Sequence, residues 1–588
     1  MHKQVAFVTR LPRGQSGFHY IDLGHSTALD SASAQAGGTR VELADYYPSD
    51  QSRWTRAFVA WLGALNKQFA SPEWWAHTAT AKNLLSSRFG YWLLEVIAIK
   101  AVIDALGFKQ LYVIGATGAQ ARMLASSCNQ AVHYAIAGRL KSGGNAAKFW
   151  VRLAYQGLRV FLAYIAWPWK FRAVKRPDVC LFTYVDGNVR KDTDAFFGTL
   201  TAQLRLQRPG LVCVYLAFLH APFFSTLKKL RTTPDEVYWP LFFELTLRDL
   251  CWAAVKTIDA RKGVSKLRPP PFGDALDVRD IFQHALWHDI DRGGYFYNLL
   301  VFRAARRYAH DCQPDKLIYP YENKSLEKLL ILGFRAGYPG CRIDGYQHTS
   351  ITPRHTTLLF AEDEAASTPL PDRIITAGTL TKQYLETHGN YPAGILSAGC
   401  ALRQHWRPAF DTPANRGEKP LRVLLALSSS RYELLSAVAF FERIAAPFEN
   451  RIELLIRPHP EFGLDLLPDK LATWVREHGN DATGTDLSAN LAWCDITAYI
   501  SSTVALETLM IGKPIVYIDI REPINPDPVI GSVGFHARIR DAQDFQNCLT
   551  KLRDLSQDSY RAMANEALEY VRGYLCPATP ESTRIFLH

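Results

Sequence analysis

Several features are missing from this chain. No apolar run reaches the length of a membrane span. The longest strongly apolar stretch, VFLAYIAWPW from Val160 to Trp169, is about half of the roughly 20 residues a spanning helix needs. The first residues, MHKQVAFVTRLPRGQSG, contain no hydrophobic signal core, so export is not expected. Ten cysteines are scattered and none stands in C-x-x-C spacing, which argues against a zinc cluster and for reduced, mostly buried thiols. No helix-turn-helix, zinc-finger or RNP pattern appears, so nucleic acid is not an expected partner. GATGAQ, Gly115 to Gln120, is not G-x-G-x-x-G, so a nicotinamide cofactor is not expected either. No D-x-D stands in a strand context; the pair Asp192 and Asp194 in VRKDTDAFFG reads as a helix start, and no metal site is expected. No repeat of 20–50 residues suggests a solenoid.

What is present is length, apolar content and positive charge. The 588 residues are 48% hydrophobic, too many for one core and enough for two or three domains. The net charge of +11 points to phosphate-rich small molecules or a membrane surface. One segment concentrates both properties. In KFWVRLAYQGLRVFLAYIAWPWKFRAVKR, Lys148 to Arg176, basic residues interleave with Trp150, Phe161, Trp167, Trp169 and Phe171. That is the pattern of a helix lying in a membrane interface, and it competes with a helix buried between domains. Pro168 should end or kink it.

The rest alternates. LLEVIAIKAVIDALG reads as a helix, KQLYVIG as a strand, PDVCLFTYVDG and LVCVYLAFLH as buried strands, and Asp315 to His348 as strand, helix, strand. RPAFDTPANRGEKP, Arg407 to Pro420, reads as a linker. Beyond it LRVLLALSS, RIELLIRPHP, LAWCDITAYISS and PIVYID are strands separated by helices. The expectation is an α/β chain of two Rossmann-like, doubly wound domains facing a cleft, with ligands at the carboxyl ends of the strands. The expected divisions are residues 1–405, with a membrane-interface helix within 145–176, a linker at 406–420, a second domain at 421–575 and a tail at 576–588.

Candidate chemistry sits at those strand ends. RPHPE places Arg457, His459 and Glu461 after a strand, in a loop stiffened by two prolines. SSTVALETLMIGKP puts Ser501, Ser502 and Thr503 at a helix start, where hydroxyls and free N–H groups make an anion site, with Glu507 a turn later for ribose hydroxyls; plain N-capping is the competing reading. In SSSRYE, Ser429 and Arg431 could approach a diphosphate or a carboxylate. Glu322 in YPYENKS is a candidate base or nucleophile, and Asp344 and His348 in IDGYQH flank a strand end near the same cleft. Lower in rank are Gly378, Thr379 and Arg403.

RPHP after a strand, followed by SS-T opening a helix that ends in GKP, resembles the paired HP and SS motifs of GT-B enzymes that build bacterial capsules and O-antigens. Those families include polysialyltransferases, capsule Kdo transferases and teichoic-acid glycerophosphotransferases. The resemblance runs from about Asp372 to Ile520 and does not extend to the first 300 residues. It implies a metal-independent glycosyltransferase with a CMP-linked nucleotide-sugar donor on the C-terminal domain, a lipid-linked glycan acceptor and no cofactor. His459 would meet donor phosphate or cytidine, Ser501 and Ser502 phosphate, and Glu507 ribose. The expected location is cytoplasmic, peripheral on the inner face of the bacterial inner membrane. A polyol-phosphate transferase, a sugar-nucleotide epimerase of the same shape and a non-catalytic scaffold are the alternatives.

Overall fold

The computed structural model describes residues 3–8, 17–23, 38–127, 132–137, 149–161 without 152, 156 and 159, 174–185, 193–219, 226, 230, 237–273, 276–404, 420–444, 448 and 451–588. Among the described residues eighteen strands form three sheets, and every pairing between those strands is parallel.

The first sheet joins β1 (Lys3–Val8), β2 (His19–Asp22), β3 (Thr39–Arg40), β4 (Gln110–Ile114) and β5 (Val132–Ala137) in the order β3-β2-β4-β1-β5. The second holds β6 (Val179–Val185), β7 (Cys213–Leu219), β8 (Tyr238–Pro240), β9 (Lys316–Pro320), β10 (Arg342–Gln347), β11 (Arg373–Thr376) and β12 (Leu396–Ala398). Its order is β12-β11-β10-β9-β6-β7-β8. The third holds β13 (Leu421–Ala426), β14 (Ile452–Arg457), β15 (Gly479–Asp481), β16 (Ile496–Tyr499), β17 (Ile515–Ile518) and β18 (His536–Ile539), ordered β15-β14-β13-β16-β17-β18. The second and third sheets are therefore doubly wound in the Rossmann sense, reversing direction between β6 and β9 and between β13 and β16. The N-terminal half, read from sequence as one Rossmann-like unit, carries a further five-stranded sheet. One apolar core, from Val5 and Phe7 through Leu317 to Ile374, runs under both of its sheets. Strands such as β7, CVYLAFL, are buried at every residue, as parallel strands covered by helices on both faces must be.

The helices that position the site are α1 (Gln51–Phe69), α2 (Phe89–Ala105), α3 (Gly294–Cys312), α4 (Ser325–Gly337), α5 (Arg431–Ile444), α6 (Val504–Met510) and α7 (Gln557–Tyr574). A buried ion pair, Lys82 with Glu364, ties the segment after α1 to the segment after β10, and Asn66 donates to the same carboxylate. The chain end crosses back to the second sheet. Phe586 is buried there, its carbonyl accepts from Lys316 Nζ at 3.2 Å, and the Ile585 carbonyl accepts from Arg373 at 2.7 Å. The described residues between 149 and 161 are helical, while 162–173 and 405–419, which take in all but the last residue of the expected linker at 406–420, lie outside the described residues. Among the described residues no helix is long and apolar enough to cross a membrane.

Candidate functional site

Both reversal points carry polar side chains. In the second sheet, β9 ends at Pro320 and β10 at Gln347, which brings Glu322 and His348 together. His348 Nε2 lies 3.7 Å from Glu322 Oε1, and Lys324 Nζ lies 2.5 Å from Glu322 Oε2. Phe196 packs its ring edge-on against the His348 imidazole at 5.0 Å, and the Arg403 guanidinium sits 5.9 Å from the same phenyl ring. Burial pushes His348 down to about 4, more than Glu322 pulls it up. Burial acts to raise the Glu322 carboxyl, but the Lys324 ammonium and His348 outweigh it, leaving it below its ordinary range. Burial, reinforced by the charge of Glu322, raises Glu327 to about 8. The two residues thus form an ionised carboxylate beside a neutral imidazole at pH 7, a pair able to accept a proton from a hydroxyl. Three buried polar atoms here, His348 Nδ1, Gln347 Oε1 and Asn323 Oδ1, have no hydrogen-bond partner, whereas most buried polar groups in folded proteins have one.

Asp344 does not join them, and the expectation that it faces the cleft is corrected. It lies within β10, about 13 Å of strand from His348. Its fully buried carboxylate turns to the amino edge of the sheet, 2.6 Å from Arg373, 3.4 Å from Arg342 and 3.5 Å from Lys316. Three cations at the first positions of adjacent strands neutralise it there, as burial of a charge requires.

In the third sheet, Arg457, Ala426 and Tyr499 stand level on β14, β13 and β16, so the loops bearing RPHPE, SSSR and SST leave the same edge. The side chains do not all point to one spot. Arg457 donates to the Thr485 carbonyl at 3.0 Å and to Asn490 Oδ1 at 2.6 Å, and Glu507 lies within its electrostatic reach. His459 Nδ1 accepts from the Glu461 N–H at 3.2 Å in a tight turn closed by Phe462 N–H on the His459 carbonyl. Burial lowers this imidazole. Glu461, Ser429, Arg431 and Thr503 are exposed, while Ser502 is buried. Ser501 Oγ donates to Glu433 Oε2 at 2.5 Å, and Ser428 donates to the same oxygen. The three adjacent hydroxyls at 501–503 therefore do not converge, and the helix they precede, α6, is only seven residues long.

The residue that links the two edges is Arg354, from the loop that follows β10. It is buried, pairs with Glu433 at 2.5 Å and reaches Glu522 after β17 at 3.3 Å. The next residue, His355, is within electrostatic reach of Glu322. One loop, from His348 to His355, thus touches both clusters. Sequence reasoning missed Arg354, Glu433 and Lys324. Glu433 had a signal, standing three residues after Ser430 in a capping-box spacing; Arg354 in ITPRHTT had none.

Two doubly wound sheets meet carboxyl edge to carboxyl edge. This is the GT-B arrangement. No protein-family model matches the chain, and no curated protein matches it. Among solved structures it is similar to a protein assigned as a UDP-N-acetylglucosamine 2-epimerase from Listeria monocytogenes, at 12% identity over 70% of this chain and 95% of that one, TM-score 0.38. It is similar to HepE of Anabaena in complex with UDP-glucose, at 13% identity over 70% and 98%, TM-score 0.38. It is also similar to the wall teichoic acid polymerase TagF, at 8% identity over 76% and 96%, TM-score 0.33. Likenesses this faint carry no argument about chemistry.

Proposed function

We propose that the protein is a glycosyltransferase that moves a sugar from a cytidine-nucleotide-activated donor to a lipid-linked glycan in bacterial surface-polysaccharide synthesis. The observation that carries this reading is the pairing of the Glu322–His348 cluster on one sheet edge with the arginine- and serine-bearing loops of the facing edge, joined through Arg354. The acceptor hydroxyl gives its proton to Glu322 or His348 as its oxygen bonds to the sugar's anomeric carbon. The bond from that carbon to the donor phosphate breaks, and the nucleotide leaves with the electron pair. In this reading Lys324 and Arg457 supply the fixed cations that balance charge on the leaving phosphate, a stabilisation worth most at the transition state, while Arg354 holds the two edges together through Glu433 and Glu522; no metal ion is invoked. His459, Glu461, Glu507, Ser429 and Arg431 form the rim on the donor side.

The protein works at the cytoplasmic face of the inner membrane, held there through residues 148–176. Two observations support that location. Trp150, Val151 and Leu158 are 53%, 69% and 52% exposed, while Phe149 and Val160 on the same helix are buried in the core. Between Asp104 and Asp178 there is no acidic residue and there are eleven Lys and Arg, against 67 basic and 56 acidic residues in the whole chain. The remainder of the molecule is thus formally neutral, and the entire positive excess lies in the region bearing this helix.

A thermal-shift panel of CMP, CDP, UDP and GDP tests the donor, because a ligand that binds only the folded state raises its apparent stability. Cytidine nucleotides should stabilise the protein and His459→Ala should lose the effect. Equal shifts from UDP or GDP, or an unchanged response in the variant, would refute the cytidine assignment. Conversion of the nucleotide sugar with no acceptor present would favour an epimerase.

A further inference from the structure

One strand beyond the reversal point of the third sheet lies a cleft that none of the sequence candidates lines. Its volume is about 480 Å³ and it continues into a neighbouring hollow of about 510 Å³, within the roughly 300–1,000 Å³ of small-molecule sites. One wall is the start of α1, Ser49 to Ser52; the other is formed by the ends of β17 and β18, with Asp519, Arg538 and Arg540. Gln51 holds the walls together, its side-chain carbonyl accepting from the Asn525 N–H at 3.1 Å. Arg521 pairs across the same boundary with Asp45.

The charges of this lining cancel. Its arginines, 521, 538 and 540, are matched by Asp50, Asp519 and Glu522. Asp519 is buried and accepts from Arg538 at 2.6 Å and Arg540 at 2.7 Å, while those guanidinium groups are half exposed. Each guanidinium carries five donors in a fixed fork, so donors remain for a ligand although the net charge is spent. A phosphate site would show uncompensated cations. Here a dense set of donors and acceptors, two tyrosines and no net charge fit a neutral, polyhydroxylated ligand. The cleft also adjoins the candidate site, because Glu522 in its wall shares Arg354 with Glu433.

We propose that this cleft binds a neutral sugar unit. Its assignment to the acceptor glycan rests on the transferase reading; the sugar binding itself does not. Saturation-transfer NMR on the full chain with methyl glucoside, N-acetylglucosamine and lactose, each at millimolar concentration, tests it, with CMP and inorganic phosphate as competitors. A saccharide signal that neither competitor removes is expected. Ser49→Trp, at an exposed position on the cleft wall, should abolish it. Arg540→Ala, which leaves Asp519 paired with Arg538, should weaken binding about tenfold, the equivalent of one charge-assisted hydrogen bond. CMP binding should be unchanged in both variants. The proposal is overturned if no saccharide of the three gives a signal, if phosphate displaces it, or if Ser49→Trp leaves it intact. Failure of CMP to bind the unaltered protein would strike the transferase reading and leave a saccharide signal standing.

Discussion

His348 shows how far one residue's chemistry depends on its surroundings. Buried beside Glu322, it titrates near 4 when folded, against an ordinary value of 6.5. Between those values the unfolded chain binds the extra proton, so stability from this residue is complete above about 6.5 and is lost as pH falls toward 4. Burial gives His284 the same shift. Glu327, raised to about 8, acts in the opposite sense: its contribution is present at low pH and lost as pH rises. Comparison with His348→Asn isolates the residue. The melting temperature of the unaltered protein should fall relative to the variant between pH 7 and pH 5, and a constant difference would show that His348 is not held neutral by burial. The sequence marked Glu322 and His348 because both follow strand-like runs. It misplaced Asp344, since a four-residue separation along a strand looks short on paper and spans most of a sheet's width.

The helix between residues 149 and 161 carries the prediction at the scale of an element. Positions 150, 151 and 158 fall on one side of a 3.6-residue period and positions 149 and 160 on the other, which matches the split between exposed and buried residues. An apolar face left in solvent amid basic residues suits insertion into an anionic lipid surface. Replacing Trp150 and Leu158 by Ala should lower sedimentation with vesicles containing phosphatidylglycerol by several-fold and leave binding to nucleotide unchanged; equal sedimentation would remove the membrane role. Strands and helices elsewhere were legible where their patterns were long. LRVLLALSS, RIELLIRPHP and PIVYID fold as β13, β14 and β17. Of the first sheet only β4, in KQLYVIG, was legible; β2 and β3 have four and two residues, and a short strand leaves no period to read.

At the scale of the molecule, the two facing edges are held by Arg354. Its guanidinium is the cation shared by Glu433 and Glu522, all three almost fully buried. Arg354→Ala would strand two carboxylates at the boundary between the halves, a loss of about 3–5 kcal/mol by the usual cost of breaking a buried pair. Urea unfolding should show that loss, and Glu433→Ala in the same chain should recover part of it; an additive result would mean that the two do not act as a pair. The returning helix α7 secures the same boundary, with the Ile351 N–H donating to Tyr574 Oη at 2.8 Å and the Tyr574 hydroxyl donating to the Pro528 carbonyl at 3.0 Å. A Cβ at Gly378 would collide with the carbonyls of Gly573 and Tyr574, so glycine is required where that helix passes. By itself the sequence determined the α/β class, the parallel strands of the C-terminal half and the edge on which polar loops emerge, because alternation and strand-end composition are local properties of the chain. Which of those loop residues meet was decided only by the tertiary structure. Arg354 reaches Glu433 across 79 residues of chain, and no local pattern encodes a contact made by packing one sheet edge against another.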